Sequence, residues 1–247
     1  MSQFRNIKGT HDILPKDSMK WKNLESIVNR ICNQYGYHEI RTPIFEETNL
    51  FSRSVGEDSD IVTKEMYTWN DIDGKSLTLR PELTASVARS YIQHNLRNDS
   101  PIHRLFYMGP VFRRERPQKG RQRQFHTFGL EAFGSANPEQ DAETISVAWD
   151  IIINCGISKN TILNINSIGS KECRLAYRKA LKDFISPNLD NFSNISKKRF
   201  TTNPLRILDT KSEKEQQYLK NSPKISAYYT EEDHLHFEAV KGYLLAM

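Results

Sequence analysis

Phe112-Arg113-Arg114-Glu115-Arg116-Pro117-Gln118-Lys119-Gly120-Arg121-Gln122-Arg123-Gln124-Phe125 holds six basic residues against one acid. Two alternating apolar runs flank it, Leu105 to Phe112 on one side and Phe125 to Phe133 on the other. Alternation with a period of two marks strands. Pro117 and Gly120 are turn formers in the middle. The stretch therefore predicts a β-hairpin with a long cationic loop. Such a loop suits a polyanion, whether a nucleoside triphosphate or a nucleic-acid backbone. A solvated basic loop is the plainer reading, against which glycine, proline and aromatic residues interleave the charge.

Strand parity assigns faces. Arg123, Phe125, Thr127, Gly129 and Glu131 share one side of the second strand. Leu105, Tyr107, Gly109, Val111 and Arg113 share one side of the first. Regular pairing then places Arg113 on the same face as Phe125 and Glu131. A third segment, residues 76–82, alternates Ser76, Thr78, Arg80 and Glu82 on a polar side with Leu77 and Leu79 opposite. A face carrying Arg113, Phe125, Glu131 and Glu82 can hold an amine at the carboxylates and a phosphate at the arginine fork. Phe125 can stack a purine. The residues alone leave this open against a solvated sheet face laced with salt bridges.

Outward from the hairpin, Asp17-Ser18-Met19 predicts the cap of a helix to about Gln34, ended by Gly36. Tyr37 to Thr42 predicts a strand stopped by Pro43. Residues 53–65 read as a loop. Met66 to Trp69 and Lys75 to Arg80 predict two strands joined across Asn70 to Gly74. Thr84 to Asn95 predicts a helix. Another starts at Asn137-Pro138-Glu139 and runs to about Asn154, with Ala142, Ile145, Ala148, Trp149 and Ile152 as a core stripe. Thr161 to Asn166 predicts a strand ending near Gly169. Beyond Ser170 the chain turns lysine-rich and helical, with loops at Ser186-Pro187-Asn188 and Asn203-Pro204, so a domain boundary is placed near 170. Leu235 to Met247 is periodic at helical spacing, and the chain is expected to end inside a helix, as a fragment of something longer would.

The 247 residues suffice for one large or two smaller domains. The formal charge of +5 is modest, so the clustering at 113–123 carries the polyanion signal rather than the total. Cys32, Cys155 and Cys173 are widely spaced and form no CxxC pair, which points away from a zinc site or a disulfide framework and toward a reducing, cytoplasmic compartment. The first residues lack the apolar core of a signal peptide, and no apolar run has membrane-spanning length, so no membrane partner is expected.

At these residues the chain resembles the class II aminoacyl-tRNA synthetases, specifically histidyl-tRNA synthetase. Lys8 to Pro15 looks like the family's N-terminal signature. The helix at 18–34 with Tyr37 to Pro43 resembles motif 1, the dimer-forming element. Lys64 to Trp69 and Leu77 to Ala85 resemble the amino-acid-binding segment, and Phe112 to Phe125 resembles motif 2. Asn166 to Ser170 and Asn203 to Asp209 resemble the start of the family's insertion domain. The resemblance implies an α+β fold, a class II antiparallel sheet flanked by helices, truncated. Residues 1–169 would be the catalytic core and 170–247 the start of a mostly helical insertion.

The resemblance also implies roles. Arg113 would hold the α-phosphate of ATP and act catalytically. Glu115 would contact the adenine, Phe125 would stack on it, and Arg121 would lie near the outer phosphates. Glu82, Leu83, Thr84, Arg113, Thr127 and Glu131 would bind L-histidine. Arg116 and Gln118 would face the acceptor end of tRNA(His). ATP would come with Mg²⁺, and the protein would be a homodimer. Two departures stand out: Thr127 occupies a position where the family usually has glutamine, and Leu83 replaces a frequent glycine. The family's histidine-specific segment, motif 3 and anticodon-binding domain have no counterpart in these residues, so the chain alone is expected to be inactive. The alternative is a synthetase-like regulatory subunit of ATP phosphoribosyltransferase. Glu82 and the intact Arg113-to-Arg121 loop favour the ligase.

Overall fold

A computed structural model describes residues 4–56, 59 and 61–247. By internal contacts the chain divides into two compact units. One comprises the described residues up to 136 together with 143–161, the other residues 137–142 and 162–247. The sequence places its boundary near 170.

The long hairpin is the spine of the first unit. Strand β5 (His103–Phe112) and strand β6 (Gln124–Phe133) pair antiparallel over their whole length, from His103 opposite Phe133 to Phe112 opposite Gln124. Strand β1 (His38–Glu39) adds to the other edge of β5, in parallel, so the sheet order is β1-β5-β6. β1 is shorter than the predicted Tyr37–Thr42. After Ile40 donates to the Phe106 carbonyl, the chain leaves the ladder toward Pro43, which cannot donate to one.

Both faces of this sheet are covered. On one, Phe106 packs with Val28, Ile31 and Cys32 of helix α1 (Pro15–Gln34) and with Val147 and Ile151 of helix α4 (Pro138–Asn154). On the other, Leu105, Tyr107 and Val111 pack with Leu83 and with Val87 of helix α3 (Thr84–Gln93). This is a mixed α+β layer structure, a sheet flanked by helices. Tyr35 donates to Asp150 at 2.6 Å, and Arg104 pairs with Glu143 at 2.6 Å, fixing α4 against the sheet. Of the predicted α4 stripe Ala142 is buried, whereas Ile145, Ala148, Trp149 and Ile152 are only partly so; Val147 and Ile151 are the other buried apolar positions, with Thr144 on their side bonding the Tyr37 hydroxyl. Helix α1 begins at Pro15, a residue suited to a first helical position, and not at an Asp17 cap. Asp17 lies in the first turn, where its charge complements the helix dipole, and pairs with Lys20.

A second sheet, order β2-β4-β3, is built from β2 (Phe45–Glu47), β3 (Tyr67–Asn70) and β4 (Ser76–Leu79). The segment expected as a loop at 53–65 instead contains the end of helix α2 (Thr48–Val55) and a π-helical turn at Ile61–Glu65. The part of it at 57, 58 and 60 lies outside the described residues. Phe51, fully buried, anchors α2 by tertiary packing, which a propensity reading does not register.

The second unit is helical: α5 (Lys171–Ile185), α6 (Asn194–Thr202), α7 (Glu213–Leu219) and α8 (Glu231–Ala246), joined in part by 3₁₀ turns at Ser186–Asn191 and Pro204–Ile207 where loops were expected. Leu181, Ile185, Phe192, Ile207 and Leu219 form its core. Glu215 ties it together by accepting from the Ser193 amide at 2.7 Å, the Ser196 hydroxyl at 2.9 Å and the Thr210 hydroxyl. Residues 161–169 form neither helix nor strand. The predicted strand at Thr161–Asn166 has no ladder beside it among the described residues, and Ile162 stays 82% exposed.

Candidate active site

The β5–β6 register puts the predicted residues on one face. Leu105 lies opposite Glu131, Tyr107 opposite Gly129, Gly109 opposite Thr127, and Val111 opposite Phe125. The Arg113 amide continues the pairing by donating to the Arg123 carbonyl at 2.9 Å. Arg113 and Glu131 therefore share a face, and although their backbones stand eight register positions apart, the Arg113 side chain reaches to the Pro81 carbonyl, beside Glu82. The site is a trough with two ends.

At the Glu131 end, the Tyr107 hydroxyl donates to the Glu131 carboxylate at 3.1 Å and lies 3.2 Å from the Thr84 hydroxyl. Glu82 sits at the start of α3 and accepts the Ala85 amide at 3.1 Å. Burial pushes the Glu82 carboxyl above its ordinary value; amides and hydroxyl of Ala85 and Thr84 oppose this, and the Glu131 charge adds to it. Burial likewise raises the Tyr107 phenol, which is pushed up to about 12, so it stays protonated as a donor. Two carboxylates, a phenol and a hydroxyl thus converge, an arrangement suited to an ammonium or an imidazole.

Glycine makes this possible. A side chain at Gly129 would begin 2.3 Å from the Tyr107 hydroxyl, so the missing Cβ is the space the Tyr107 ring occupies. A Cβ at Gly109 would stand 2.7 Å from the Arg80 guanidinium. Arg80 is buried and donates to the carbonyls of Pro110 (2.9 Å), Thr42 (2.8 Å) and Pro43 (3.2 Å). It is a structural cross-link, not part of an open polar face.

At the other end, the Arg113 guanidinium lies 5.4 Å from the Phe125 ring centroid, and its Nε donates to the Pro81 carbonyl at 2.9 Å. That is its one side-chain hydrogen bond among the described residues, so both terminal nitrogens are left to bind an anion. Pro81 precedes Glu82, so one short segment serves both ends of the trough. Glu115 pairs with Arg121 at 3.0 Å. Arg116 and Gln118 are exposed at the tip of the loop, where Gln118 and Arg121 form an isolated bridge. Leu83 is buried in the apolar cluster beneath the face. The Thr127 hydroxyl is turned to the Phe128 carbonyl at 3.2 Å.

Parity reasoning placed Tyr107 on this face without assigning it a role. The signal was available: a tyrosine directly opposite a glycine in a paired strand has room to reach across its neighbour. Among the described residues, no group of three or more His, Cys, Asp or Glu side chains could hold a metal ion, and no helix is long and apolar enough to cross a membrane.

A sequence model of histidyl-tRNA synthetase matches residues 9–171, the span that contains every one of these side chains. The chain belongs to the histidyl-tRNA synthetase family. It is 48% identical over 243 residues to the histidine–tRNA ligase of Protochlamydia amoebophila (strain UWE25), covering 96% of this chain and 57% of that protein. Against the histidine–tRNA ligase of Solibacter usitatus (strain Ellin6076) it is 50% identical over 238 residues, with 96% and 57% covered. The crystal structure of the apo S. aureus histidyl-tRNA synthetase is similar with a TM-score of 0.73 at 36% identity, over 98% of this chain and 54% of that one. A structure titled as an ATP phosphoribosyltransferase regulatory subunit/histidyl-tRNA synthetase from Bacillus halodurans C shares the fold at 22% identity, with a TM-score of 0.58 over 97% of this chain and 65% of that one. The chain spans about 57% of the length of the curated histidine–tRNA ligases it matches. Within the histidyl-tRNA synthetase match, the trough brings Glu82, Glu131, the buried Tyr107 phenol and the partly buried Arg113 onto one face.

Proposed function

We propose that this chain carries the histidine- and ATP-binding part of a histidine–tRNA ligase. The observation that supports it is the two-ended trough: Glu82, Thr84, Tyr107 and Glu131 at one end, and Arg113 with its terminal nitrogens unengaged at the other. Histidine would place its ammonium and imidazole among the carboxylates and its carboxylate toward Arg113. A carboxylate oxygen attacks the α-phosphorus of ATP; the new P–O bond forms as the bond to pyrophosphate breaks. The terminal ribose hydroxyl of tRNA(His) then attacks the acyl carbon, loses its proton and releases AMP. The substrate supplies the nucleophile, so the protein's work is positioning and charge stabilisation. Arg113 would hold the α-phosphate, Phe125 and Glu115 the adenine, and Arg121 the outer phosphates once it swings from Glu115. An incoming ammonium favours the ionised form of Glu82 against burial. Mg²⁺ would come with ATP, since it takes few protein ligands beside nucleotide phosphates.

Arg116 and Gln118 are read as facing the tRNA acceptor end, α1 and β1 as the homodimer surface, and the cytoplasm as the compartment. The second unit is read as the start of the helical insertion. The ligases matched are much longer than 247 residues, so this chain is read as a truncated form with little activity alone. The synthetase-like regulatory subunit is the weaker reading, because Glu82 and the Arg113-to-Arg121 loop keep the chemistry a ligase needs.

Histidine-dependent ATP–pyrophosphate exchange tests this. The 247-residue chain should exchange weakly or not at all. In a longer form that does exchange, Arg113→Ala should slow the reaction by about two to three orders of magnitude, the scale of losing one charge-stabilising donor. Near-normal exchange in that variant would refute the role of Arg113, and robust exchange by the 247-residue chain would refute the truncated reading.

A further inference from the structure

The cationic loop is tied down from outside, and the principal tie is the N-terminal segment. The Gly9 carbonyl accepts the Arg123 amide at 2.7 Å and the Gln124 amide at 3.3 Å, the two residues where the loop re-enters β6. Gly9 is buried, in an otherwise exposed stretch. Its φ of +90° is a conformation side chains disfavour, and a Cβ there would stand 2.9 Å from Pro117 Cγ and 2.9 Å from Arg123 Cγ. Pro117 lies on the outgoing limb of the loop and Arg123 on the returning limb, so one backbone position touches both. The segment is itself rigidly turned. The Thr10 amide and hydroxyl both donate to the Ile7 carbonyl, at 2.9 and 2.7 Å, and Asn6 donates to the Thr10 carbonyl at 2.8 Å. A second tie, from the Arg114 amide to the Glu65 carbonyl at 2.7 Å, holds the outgoing limb.

We propose that residues 6–10 are a strap that sets the conformation of the cationic loop, with Gly9 as a positioning residue. Gly9 touches no substrate in the proposed reaction. It acts through Arg123, whose carbonyl accepts the Arg113 amide. Displacing the foot of the loop therefore displaces the arginine assigned to the α-phosphate. The nucleotide consequence rests on the ligase reading; the strap itself does not.

Two contrasts isolate the effect. Gly36 has a comparable φ of +71°, with nothing within 4 Å of a built Cβ, so Gly36→Ala reproduces the backbone strain without the clash. Gly9→Ala and Gly9→Val introduce both. Hydrogen exchange is read at the Arg123 and Gln124 amides, and trypsin cleavage after Lys119 and Arg121. Both rates should rise about ten-fold in Gly9→Ala, as for a locally opened segment, while amides at 105–110 keep their protection and Gly36→Ala matches the wild type. Should Gly9→Val fail to fold, Gly9→Ala decides. ATP and L-histidine binding are then titrated separately. Weakened ATP binding with unchanged histidine binding supports the strap and its positioning role together. A loosened loop in a chain whose wild type binds no ATP supports the strap and refutes the ligase reading. Unchanged loop exchange and cleavage in Gly9→Ala would overturn the strap.

Discussion

In the hairpin sheet the buried positions are apolar, with Phe106 and Val111 each 1% exposed, whereas in the smaller sheet the most buried position is Thr78, at 0%. The opposite face of the smaller sheet carries Phe45, Tyr67, Trp69, Leu77 and Leu79, and there Phe45 is 52% and Trp69 40% exposed. Both sheets alternate, but alternation says only which residues share a side. What decides the inside is which helices lie where. The hairpin is covered on both faces, so both its apolar sets are core and its polar residues gather where the cover stops. The small sheet is covered on one face, by α2 and α3, which bring Thr48 and Arg89. Thr78 then meets Thr48 at 2.8 Å and Thr68 at 2.9 Å, and Arg89 pairs with Glu46. The Thr78, Thr48 and Thr68 hydroxyls can be buried there because they partner one another; Arg89 Nε is buried without a hydrogen-bond partner among the described residues.

The hairpin half of this comparison is most exposed to test at Gly129. Gly129→Ala should destabilise the protein by about 1–3 kcal/mol, the cost of overpacking against a ring that cannot slip aside, and should break the Tyr107–Glu131 hydrogen bond. Urea unfolding followed by tryptophan emission measures the first, and a crystal structure the second. An unperturbed variant would mean that the Tyr107 ring is not confined there. In the small sheet, Thr78→Val keeps the shape and removes the shared hydroxyl. A loss of about 1–2 kcal/mol is expected. A gain in stability would show that the polar face is incidental rather than the built core of that sheet.

The smallest effect is confined to acid and sharpens the comparison from the second unit, where the buried polar group is charged. Burial would raise Glu215, but hydrogen bonds from Thr210, Ser193 and Ser196 together hold it down at about 2, against an ordinary value of 4.5. Its stabilisation is complete above about pH 4.5 and is lost as pH falls toward 2. Hydrogen exchange at α6 and α7 amides should accelerate through that window in the wild type. Glu215→Gln should flatten the acceleration, whereas the neutral Thr78 cluster should show none. Equal slopes in wild type and Glu215→Gln would contradict the assignment.

How much was legible in the sequence follows from the same contrast. The β5–β6 hairpin, the β3–β4 hairpin and helices α1, α3 and α4 are strongly patterned, and the structure has them within a few residues. Which face is buried was only partly legible: Thr78 and Arg80 read as part of a polar side, and the α4 stripe, right at Ala142, fell one residue past Val147 and Ile151 at Ala148 and Ile152. Both depend on partners distant in sequence. Helix α2 was invisible because its anchor is tertiary, through the buried Phe51, and not a local pattern. The strand expected at 161–166 shows the converse, a local pattern without a ladder to join. At the candidate site, parity alone put Arg113, Phe125 and Glu131 on one face. Alternation along 76–82 already suggested Glu82 as a neighbour and the resemblance added Thr84, but the reach of Tyr107 across Gly129 to Thr84 and Glu131 needed the structure.

The central claim is that the two ends of the trough serve one ligand. Calorimetric titration of the 247-residue chain with a non-hydrolysable histidyl-adenylate analogue tests it most directly. The analogue should bind, and Glu131→Ala at one end and Arg113→Ala at the other should each weaken it by about ten-fold or more, the scale of a lost charge-assisted contact. Absence of binding, or binding that neither substitution alters, would contradict the account.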